Sequence, residues 1–426
     1  MKKILFTFLG LFFFLALAAQ TELENRLFDL ADVRFTPIKT PDGFEAAYEL
    51  QIRQPLDHDD PSKGYFYQRA YLTHAGFDRP MVLATEGYHR PSNRMYELTT
   101  YTHSNQIDIE HRYFGTSLPD SMDYRYLNLE QATADLHRIR ELLGQLYQKP
   151  WISTGISKGG QTTIFYRYFY PDDVSVSVPY VAPLNLAAAD TRIYDFLAQV
   201  GSDDCRKAIY EVQLRLLKNR DKVLPLLHWY AKGAGYQFTY MSLEEAFEYG
   251  VLEYPFSFWQ MGHDCASIPG KDATLEALID HFNEVVGLSL YTDEEIAAYG
   301  SHYYQAATEM GYYGFDTKPY KGLLKALPPE PNAAFVPARM PVARDYTLPN
   351  KTYEWLQEQG DNFLYIYGST DTWSATMVPP SEKTNSLWFV MKGKHHGSAR
   401  IANMTSEERS RFFGQLEEWV GMDLVD

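Results

Sequence analysis

Cysteine is scarce in this chain: Cys205 and Cys265 are the only two among 426 residues. An exported protein could join them in a disulfide, and two unpaired thiols are the alternative, because the sequence does not give their separation. Metal-binding patterns are missing as well, since there is no C-x-x-C, no H-E-x-x-H and no Asp-rich loop. We therefore expect neither a metal nor another cofactor.

Basic residues are outnumbered, with 39 Lys and Arg against 55 Asp and Glu, and the formal charge is −16. This balance disfavours nucleic acid and anionic membrane surfaces as partners. Hydrophobic residues make up 45% of the chain and aromatic residues 15%, so a substantial core can form. The length suits one large α/β domain with an insertion, or two domains.

Long apolar runs are confined to the N-terminus. Two lysines precede an apolar run from Ile4 to Leu15, and small residues follow. This pattern predicts a secretory signal peptide over residues 1–19, cleaved after Ala18 or Ala19, with a retained N-terminal anchor as the alternative. We expect a protein exported to the periplasm or the extracellular space, without a membrane span after cleavage.

Strand and helix patterns alternate along the first part of the chain. Short apolar or alternating runs predict strands, and 127–147 carries apolar residues at helical spacing. The predicted strands are 45–53, 64–73, 81–84, 106–110, the run ending before Ser157, 174–181, 362–367 and 386–391. The pattern predicts a doubly wound α/β sheet.

Residues 186–335 interrupt this alternation. They contain few strand patterns, many aromatic residues and several helical patterns, including 204–218, 243–249, 273–286 and 293–299. We interpret them as a helical cap inserted in a sheet domain that comprises 20–185 and 336–426. The proline-rich stretch 328–349 would be the return path from the cap.

A glycine-rich turn, Thr154–Gly160, holds the pattern G-x-S-x-G between an apolar strand and a predicted helix, Gln161–Tyr170. In a nucleophile elbow, the two glycines allow so sharp a turn that the serine hydroxyl is presented at the edge of the sheet. The same pattern also occurs in ordinary turns. Ser157 is therefore a candidate nucleophile only if a base and an acid can be found.

Both partners follow later strands, in the chain order of α/β-hydrolases. Asp371 follows the strand 362–367, and two adjacent histidines, His395 and His396, follow 386–391. A serine hydroxyl needs a base to take its proton and a carboxylate to orient that base. The ordered set predicts a serine hydrolase.

Two backbone donors are expected to stabilise the oxyanion. The N–H of Lys158, the residue after the nucleophile, should be one, and the loop 86–88 should provide the other. The side chain of Lys158 is expected to lie in solvent.

Several segments resemble those of one serine peptidase family. They are Q-P-L-D-H at 54–58, E-H-R-Y-F-G-T-S at 110–117, G-I-S-K-G-G at 155–160, Y-Q-A-A-T-E-M-G-Y-Y at 304–313, D-T-W-S at 371–374 and H-H-G-S-A-R at 395–400. They resemble the prolylcarboxypeptidase and dipeptidyl peptidase II family, and Lys158 with the low cysteine content resembles the related bacterial secreted prolyl tripeptidyl aminopeptidases. The resemblance implies an α/β-hydrolase fold, Asp371 as the acid and removal of short peptides from a free N-terminus.

The adjacent histidines leave a choice of base. The H-H-x-x-x-R match favours His395 and gives His396 a supporting contact with Arg400. The G-x-x-H pattern of other α/β-hydrolases would instead select His396.

Substrate selection is less constrained by the sequence. An aminopeptidase must capture an ammonium group, for which Glu309 and Glu86 are candidates, although either could be paired internally. Trp373 and the cap aromatics could line a proline-sized pocket or form the cap core. A Pro-Xaa-type carboxypeptidase, an esterase on the same triad and an inactive binding module are the alternative functions.

Overall fold

The computed structural model describes residues 22–328, 335–336 and 342–424. The predicted signal peptide and part of the predicted return path lie outside these residues. The chain divides into two compact units. The first comprises Met1–Pro179, Asn362–Leu364 and Thr405–Asp426, and the second comprises Tyr180–Asp361 and Tyr365–Met404.

The first unit is built on a mixed sheet. Its strands are β1 (Val33–Pro37), β2 (Ala46–Pro55), β3 (Tyr65–His74), β4 (Met81–Thr85), β5 (Asn105–Ile109), β6 (Trp151–Ile156) and β7 (Val176–Tyr180). They are ordered β1-β2-β3-β5-β4-β6-β7, with β1, β2, β3 and β5 antiparallel. In the parallel part, Leu83 of β4 pairs with Ile107 on one side and Ser153 on the other.

Five helices lie among the described residues of this first unit. They are α1 (22–28), α2 (Glu97–Thr102), α3 (Leu129–Gly144), α4 (Lys158–Phe169) and α13 (Ser406–Val420). The apolar side of α3 packs with inward-facing sheet residues such as Leu50, Leu72 and Ile107 in one core. Every residue of β4 is buried, as expected for a parallel strand covered on both faces.

The second unit is mainly helical. Its helices are α5 (Arg192–Leu197), α6 (Asp203–Lys218), α7 (Arg220–Ala234), α8 (Leu243–Met261), α9 (Leu275–Val285), α10 (Asp293–Ala298), α11 (Gly300–Gln305) and α12 (Thr347–Glu358). Strand β9 (Leu387–Met391) and all of β8 (Leu364–Gly368) except Leu364 complete it. Tyr180, the last residue of β7, also belongs to this unit and pairs with Ile366 of β8. A disulfide joins Cys205 to Cys265, which settles the choice that the sequence left open.

Helix α8 is longer than the pattern predicted. The sequence indicates a helix only over 243–249, whereas the structure continues it to Met261 through Pro255. Most of its residues are buried, on all sides of the helix, so its apolar positions show little helical period. Ser242 and Glu245 form a capping box that fixes its start.

The predicted doubly wound α/β sheet is confirmed, and parallel strands and helices follow each other as expected. The division of the chain differs from the predicted one. Strands β8 and β9 group with the helices of the predicted cap, because the compact second unit includes Tyr365–Met404. The predicted boundaries of the helical cap, at 186 and 335, stay a prediction.

Candidate active site

Ser157 lies between the end of β6 and the start of α4. Its backbone has φ 59° and ψ −123°, a conformation that costs free energy for any residue with a side chain. Its carbonyl accepts a hydrogen bond from the N–H of Gln161, at 2.9 Å, in the first turn of α4. This strained strand-to-helix turn has the geometry of a nucleophile elbow.

Two glycines make this turn possible. A Cβ at Gly155 would lie 2.3 Å from the carbonyl oxygen of Gly159, and one at Gly159 would lie 2.4 Å from the carbonyl oxygen of Thr85. Neither contact leaves room for a methyl group. The hydroxyl of Thr85 also contacts the Gly159 carbonyl oxygen at 2.7 Å and the Thr154 carbonyl oxygen at 3.1 Å. The elbow is thus held against the end of β4.

The side chain of Lys158 does not lie in solvent, and that expectation was wrong. It is 3% exposed, and its Nζ donates a hydrogen bond of 2.7 Å to the carbonyl oxygen of Gly87. The ammonium lies 5.5 Å from the ring centre of Tyr88 and 5.3 Å from that of Phe114. Ring faces and a carbonyl replace water around this cation, which the charge of a lysine alone does not reveal.

The loop 86–88, which we call the oxyanion loop, follows β4 directly. The N–H of Glu86 donates to the carbonyl of Ile109 at 3.3 Å, and the carbonyl of Tyr88 accepts from the N–H of His111 at 3.2 Å. A Cβ at Gly87 would lie 2.5 Å from the Cβ of Lys158. The loop therefore touches the first turn of α4.

Asp371 follows β8 and is fully buried. Its Oδ1 accepts a hydrogen bond of 3.1 Å from the N–H of Trp373 and so caps the short 3-10 helix Thr372–Thr376. Its Oδ2 lies 2.8 Å from Nδ1 of His396. One oxygen therefore fixes the carboxylate, and the other faces a histidine.

The histidine that contacts Asp371 is His396, not His395. The preference for His395 therefore has to be corrected in favour of the alternative that the G-x-x-H pattern offered. The ring of His395 packs instead against Gly262, where a Cβ would lie 2.4 Å from its Cδ2. The N–H of His396 donates to the carbonyl of Gln260 at 3.1 Å. With the backbone held in this way, the His396 ring faces Asp371 and the His395 ring faces Gly262.

Arg400 lies beside this pair. Its guanidinium donates to the carbonyl oxygens of His396, at 3.0 Å, and Ala399, at 2.8 Å. The contact expected between Arg400 and His396 is thus present, and it is made to the backbone rather than to the ring.

Glu86 is paired internally, the second of the two outcomes that the sequence allowed. Arg90 and Arg94 both form ion pairs with its carboxylate, and the Tyr96 hydroxyl donates to it at 2.6 Å. Arg90 also pairs with Asp108, at 3.3 Å. Burial, and then the nearby Glu86 carboxylate, raise the pKa of Asp108 well above its usual range. Two guanidinium groups already neutralise Glu86, so it is poorly suited to capture a substrate ammonium.

Glu309 lies in a π-helical turn, Ala306–Met310, and is half-buried. Such turns are often found at functional sites. The aromatic pair Tyr312 and Tyr313 follows immediately, and both rings contact Trp373, with centres 5.8 Å and 5.4 Å from the indole. Glu309, unlike Glu86, is thus close in sequence to residues that touch the segment carrying Asp371.

A cavity of about 280 Å³ lies among the helices of the second unit. Its lining includes Phe256, Tyr313, Phe315 and Trp259. Phe256 stacks on Tyr313 with ring centres 4.1 Å apart, and its ring also contacts Trp373 at 5.0 Å. The clustered aromatics therefore form part of the core and part of a cavity wall.

The sequence interpretation did not single out Glu253, a buried carboxylate in α8. Its carboxylate accepts hydrogen bonds from the hydroxyls of Tyr313, at 2.6 Å, and Ser257, at 2.9 Å. Burial raises the pKa of Glu253 to about 7, although these two hydrogen bonds act in the opposite direction. Residues 249–261 of α8 are mostly apolar and contain one carboxylate, Glu253, and this isolated charge was the signal that could have identified it.

An elbow serine, a buried Asp–His pair and this sheet are the parts of an α/β-hydrolase-fold serine hydrolase. The chain belongs to the PS-10 peptidase S37 family, which it matches over residues 18–425. It is therefore a serine peptidase, and the resemblance seen in the sequence is confirmed.

Two curated relatives and one solved structure illustrate what this chain is similar to. The chain is 32% identical, over 413 residues, to the prolyl tri/tetrapeptidyl aminopeptidase of Streptomyces mobaraensis, covering 95% of this chain and 86% of that protein. It is 26% identical to the lysosomal Pro-X carboxypeptidase of Mus musculus over 40% of each chain. The solved proline iminopeptidase of Mycobacterium smegmatis aligns with 87% of this chain and 98% of its own at 13% identity and a TM-score of 0.41.

Proposed function

We propose that this serine peptidase removes short peptides, of the di- to tetrapeptide class and with a preference for proline, from free N-termini. The hydrogen bond between Asp371 and His396 carries the catalytic part of the proposal, because an oriented histidine is what a serine hydroxyl needs to become a nucleophile. The similarity to the Streptomyces prolyl tri/tetrapeptidyl aminopeptidase supports the substrate class.

The proposed reaction has two halves. His396 takes the hydroxyl proton of Ser157 while the serine oxygen bonds to the peptide carbonyl carbon, and the carbonyl π electrons move to oxygen as an oxyanion. When the oxyanion collapses, the C–N bond breaks and His396 returns its proton to the leaving amine. Water, deprotonated by the same histidine, then hydrolyses the acyl-enzyme and restores Ser157.

Asp371 has an orienting role in this scheme. Its contact with Nδ1 of His396 selects the tautomer whose Nε2 accepts the serine proton, and its negative charge stabilises the imidazolium that forms. The N–H of Lys158 is the first oxyanion donor, since it stands at the first position of α4, where the helix dipole favours negative charge.

For amine capture we propose Glu309 rather than Glu86. The arginine pairs of Glu86 leave its carboxylate neutralised, whereas Glu309 stands at the turn that leads into Tyr312 and Tyr313. The aromatic rings around Trp373 would hold an apolar residue such as proline. Trp373 is therefore assigned to substrate binding.

The test is a peptide panel in which each Xaa-Pro-type peptide is offered with a free and an N-acetylated terminus. We expect cleavage of the free peptides and loss of at least roughly tenfold in kcat/KM on acetylation, because a buried ion pair with the ammonium is removed. E309Q should reduce this discrimination, and the exposed E211Q should not. Equal cleavage of both forms would overturn the aminopeptidase proposal, and cleavage of ester substrates alone would favour an esterase.

The nucleophile is tested separately. Ser157→Ala should abolish turnover and labelling by a fluorophosphonate probe, since the attacking oxygen is gone. A folded S157A protein that still hydrolysed peptides would contradict the proposed mechanism, and an unlabelled, inactive wild type would favour a binding module.

Export is also part of the proposal. The structure contains no helix, within 22–328 and the other described segments, that is long and apolar enough to cross a membrane. The proposal therefore rests on residues 1–19 of the sequence. Secreted material should have a mass that corresponds to cleavage after Ala18 or Ala19, and an uncleaved chain in the membrane fraction would favour the N-terminal anchor.

A further inference from the structure

Lys158 is a buried cation next to the nucleophile. Burial of an ammonium group is unfavourable unless other groups replace its water. Here the Gly87 carbonyl accepts its hydrogen bond, and the rings of Tyr88 and Phe114 lie within 5.5 Å of Nζ. The side chain is thus directed at the oxyanion loop itself.

The hydrogen bond from Lys158 to the Gly87 carbonyl also fixes the direction of the neighbouring Tyr88 N–H. The peptide unit is planar and trans, so the carbonyl of Gly87 and the N–H of Tyr88 point in opposite directions. Because Lys158 holds this carbonyl at 2.7 Å, the direction of the Tyr88 N–H is set as well. The contact between Gly87 and the first turn of α4 keeps this peptide unit beside the elbow.

Hydrogen bonds on both sides limit rotation of this unit. The Glu86 N–H is held by the Ile109 carbonyl before it, and the Tyr88 carbonyl is held by the His111 N–H after it. The Gly87–Tyr88 peptide unit between these two hydrogen bonds could still rotate, because glycine permits more backbone conformations than other residues. The hydrogen bond from the ammonium of Lys158 to the Gly87 carbonyl limits this rotation.

We propose that Lys158 is a positioning residue: its ammonium orients the Gly87–Tyr88 peptide unit so that the Tyr88 N–H becomes the second oxyanion donor. The inference rests on the proposed function, since it requires attack by Ser157. Lys158 would then act on the oxyanion twice, directly through its own backbone N–H and indirectly through its side chain.

The test compares Lys158→Met, Lys158→Arg and the matched control Lys232→Met, whose ammonium lies 5.1 Å over the exposed Trp229 ring. We expect K158M to lower kcat by roughly 10- to 100-fold, somewhat less than deletion of an oxyanion donor, with KM changed less than threefold. K158R should recover part of the loss because it can donate to the same carbonyl. K232M should behave as wild type.

Inhibition by a peptide boronate distinguishes loss of the oriented oxyanion donor from a general loss of packing around Lys158. A peptide boronate becomes tetrahedral on the serine oxygen and therefore uses the oxyanion donors, whereas a ground-state peptide does not. K158M should weaken boronate inhibition by the same factor as kcat, with a thermal midpoint close to that of wild type. If K158M does not fold, K158Q is measured in the same way.

The possible failures are distinguishable. A folded K158M enzyme with unchanged kcat and boronate affinity would overturn this inference, as would a loss confined to KM. If S157A were active, the proposed function itself would fail. An inactive S157A together with a fully active K158M would reject only the role of Lys158.

Discussion

His395 and His396 are adjacent in the chain but contact different parts of the structure. Both follow β9, and the sequence left the choice of base open, with the H-H-x-x-x-R match favouring His395 and the G-x-x-H pattern favouring His396. The choice depends on the backbone, which turns His396 toward Asp371 and His395 toward Gly262. That rotation is set by contacts with the end of α8, which lies more than 130 residues earlier in the chain.

Substitution of each histidine should give opposite results. His396→Ala should reduce kcat by at least roughly 10³-fold, because the general base is lost. His395→Ala should leave kcat within about tenfold, since its ring contacts Gly262 and not the acid. Steady-state kinetics on one proline peptide measures both variants, and the reverse ranking would restore His395 as the base.

Glu253 should make stability depend on pH. Its pKa is about 7 in the folded protein and lies at its usual value of 4.5 in the unfolded chain. Between these values the unfolded chain has released the proton that the folded protein retains, so the free energy of unfolding falls as pH rises. This contribution is fully present below pH 4.5 and is lost above about pH 7.

The comparison with Glu253→Gln isolates this contribution, because glutamine does not titrate. Relative to E253Q, wild type should lose on the order of 3 kcal/mol between pH 4.5 and pH 8. Urea unfolding at several pH values measures the difference, and the other titrating groups cancel between the two proteins. Parallel pH profiles for both would refute the assignment.

At the scale of elements, the short apolar and alternating runs of the sequence predicted most strands of the sheet. Strands β2 to β9 lie within two residues of their predicted positions, because their apolar runs are short and bounded by turn residues. Strand β1 was missed, since it is an edge strand with several exposed residues. Helix α7 was missed as well, and Pro225 within it argued against a helix.

The disulfide ties two of these elements together. Cys205 lies in the first turn of α6, and Cys265 opens a short 3-10 helix after α8, 60 residues later. Removal of both thiols in C205A/C265A should lower the free energy of unfolding by roughly 2–5 kcal/mol, since a long loop is released in the unfolded chain. Denaturant unfolding measures the loss.

Reducing agent provides the control for this prediction. It should destabilise the wild type and leave C205A/C265A unchanged. Equal stability of oxidised and reduced wild type would contradict the expected contribution. A disulfide of this kind also fits an exported protein, because such bonds persist in oxidising compartments.

At the scale of the whole molecule, the division of the chain into two compact units differs from the predicted domains. Ser157 belongs to the first unit, whereas Asp371 and His396 belong to the second. The sequence showed where strands stop and helices take over near residue 186. It could not show that β8 and β9 group with those helices, because grouping depends on contacts between segments far apart in the chain.

Net charge acts at this scale too. Loss of Lys2 and Lys3 with the predicted signal would lower the formal charge from −16 to −18. Such a surface keeps an exported protein soluble and repels anionic polymers. Charge thus limits the partners of the molecule.

The turn after β8 joins the proposed catalytic acid, Asp371, to the proposed substrate-binding residue, Trp373. The N–H of Trp373 holds one oxygen of Asp371, the hydroxyl of Thr372 donates to the carbonyl of Phe256, and the indole of Trp373 packs against the Phe256 ring. A change at Trp373 would therefore alter affinity and turnover together. New specificities should evolve more readily through Phe256 and its neighbours on α8, where a side chain can be replaced while the main-chain carbonyl that holds Thr372 remains.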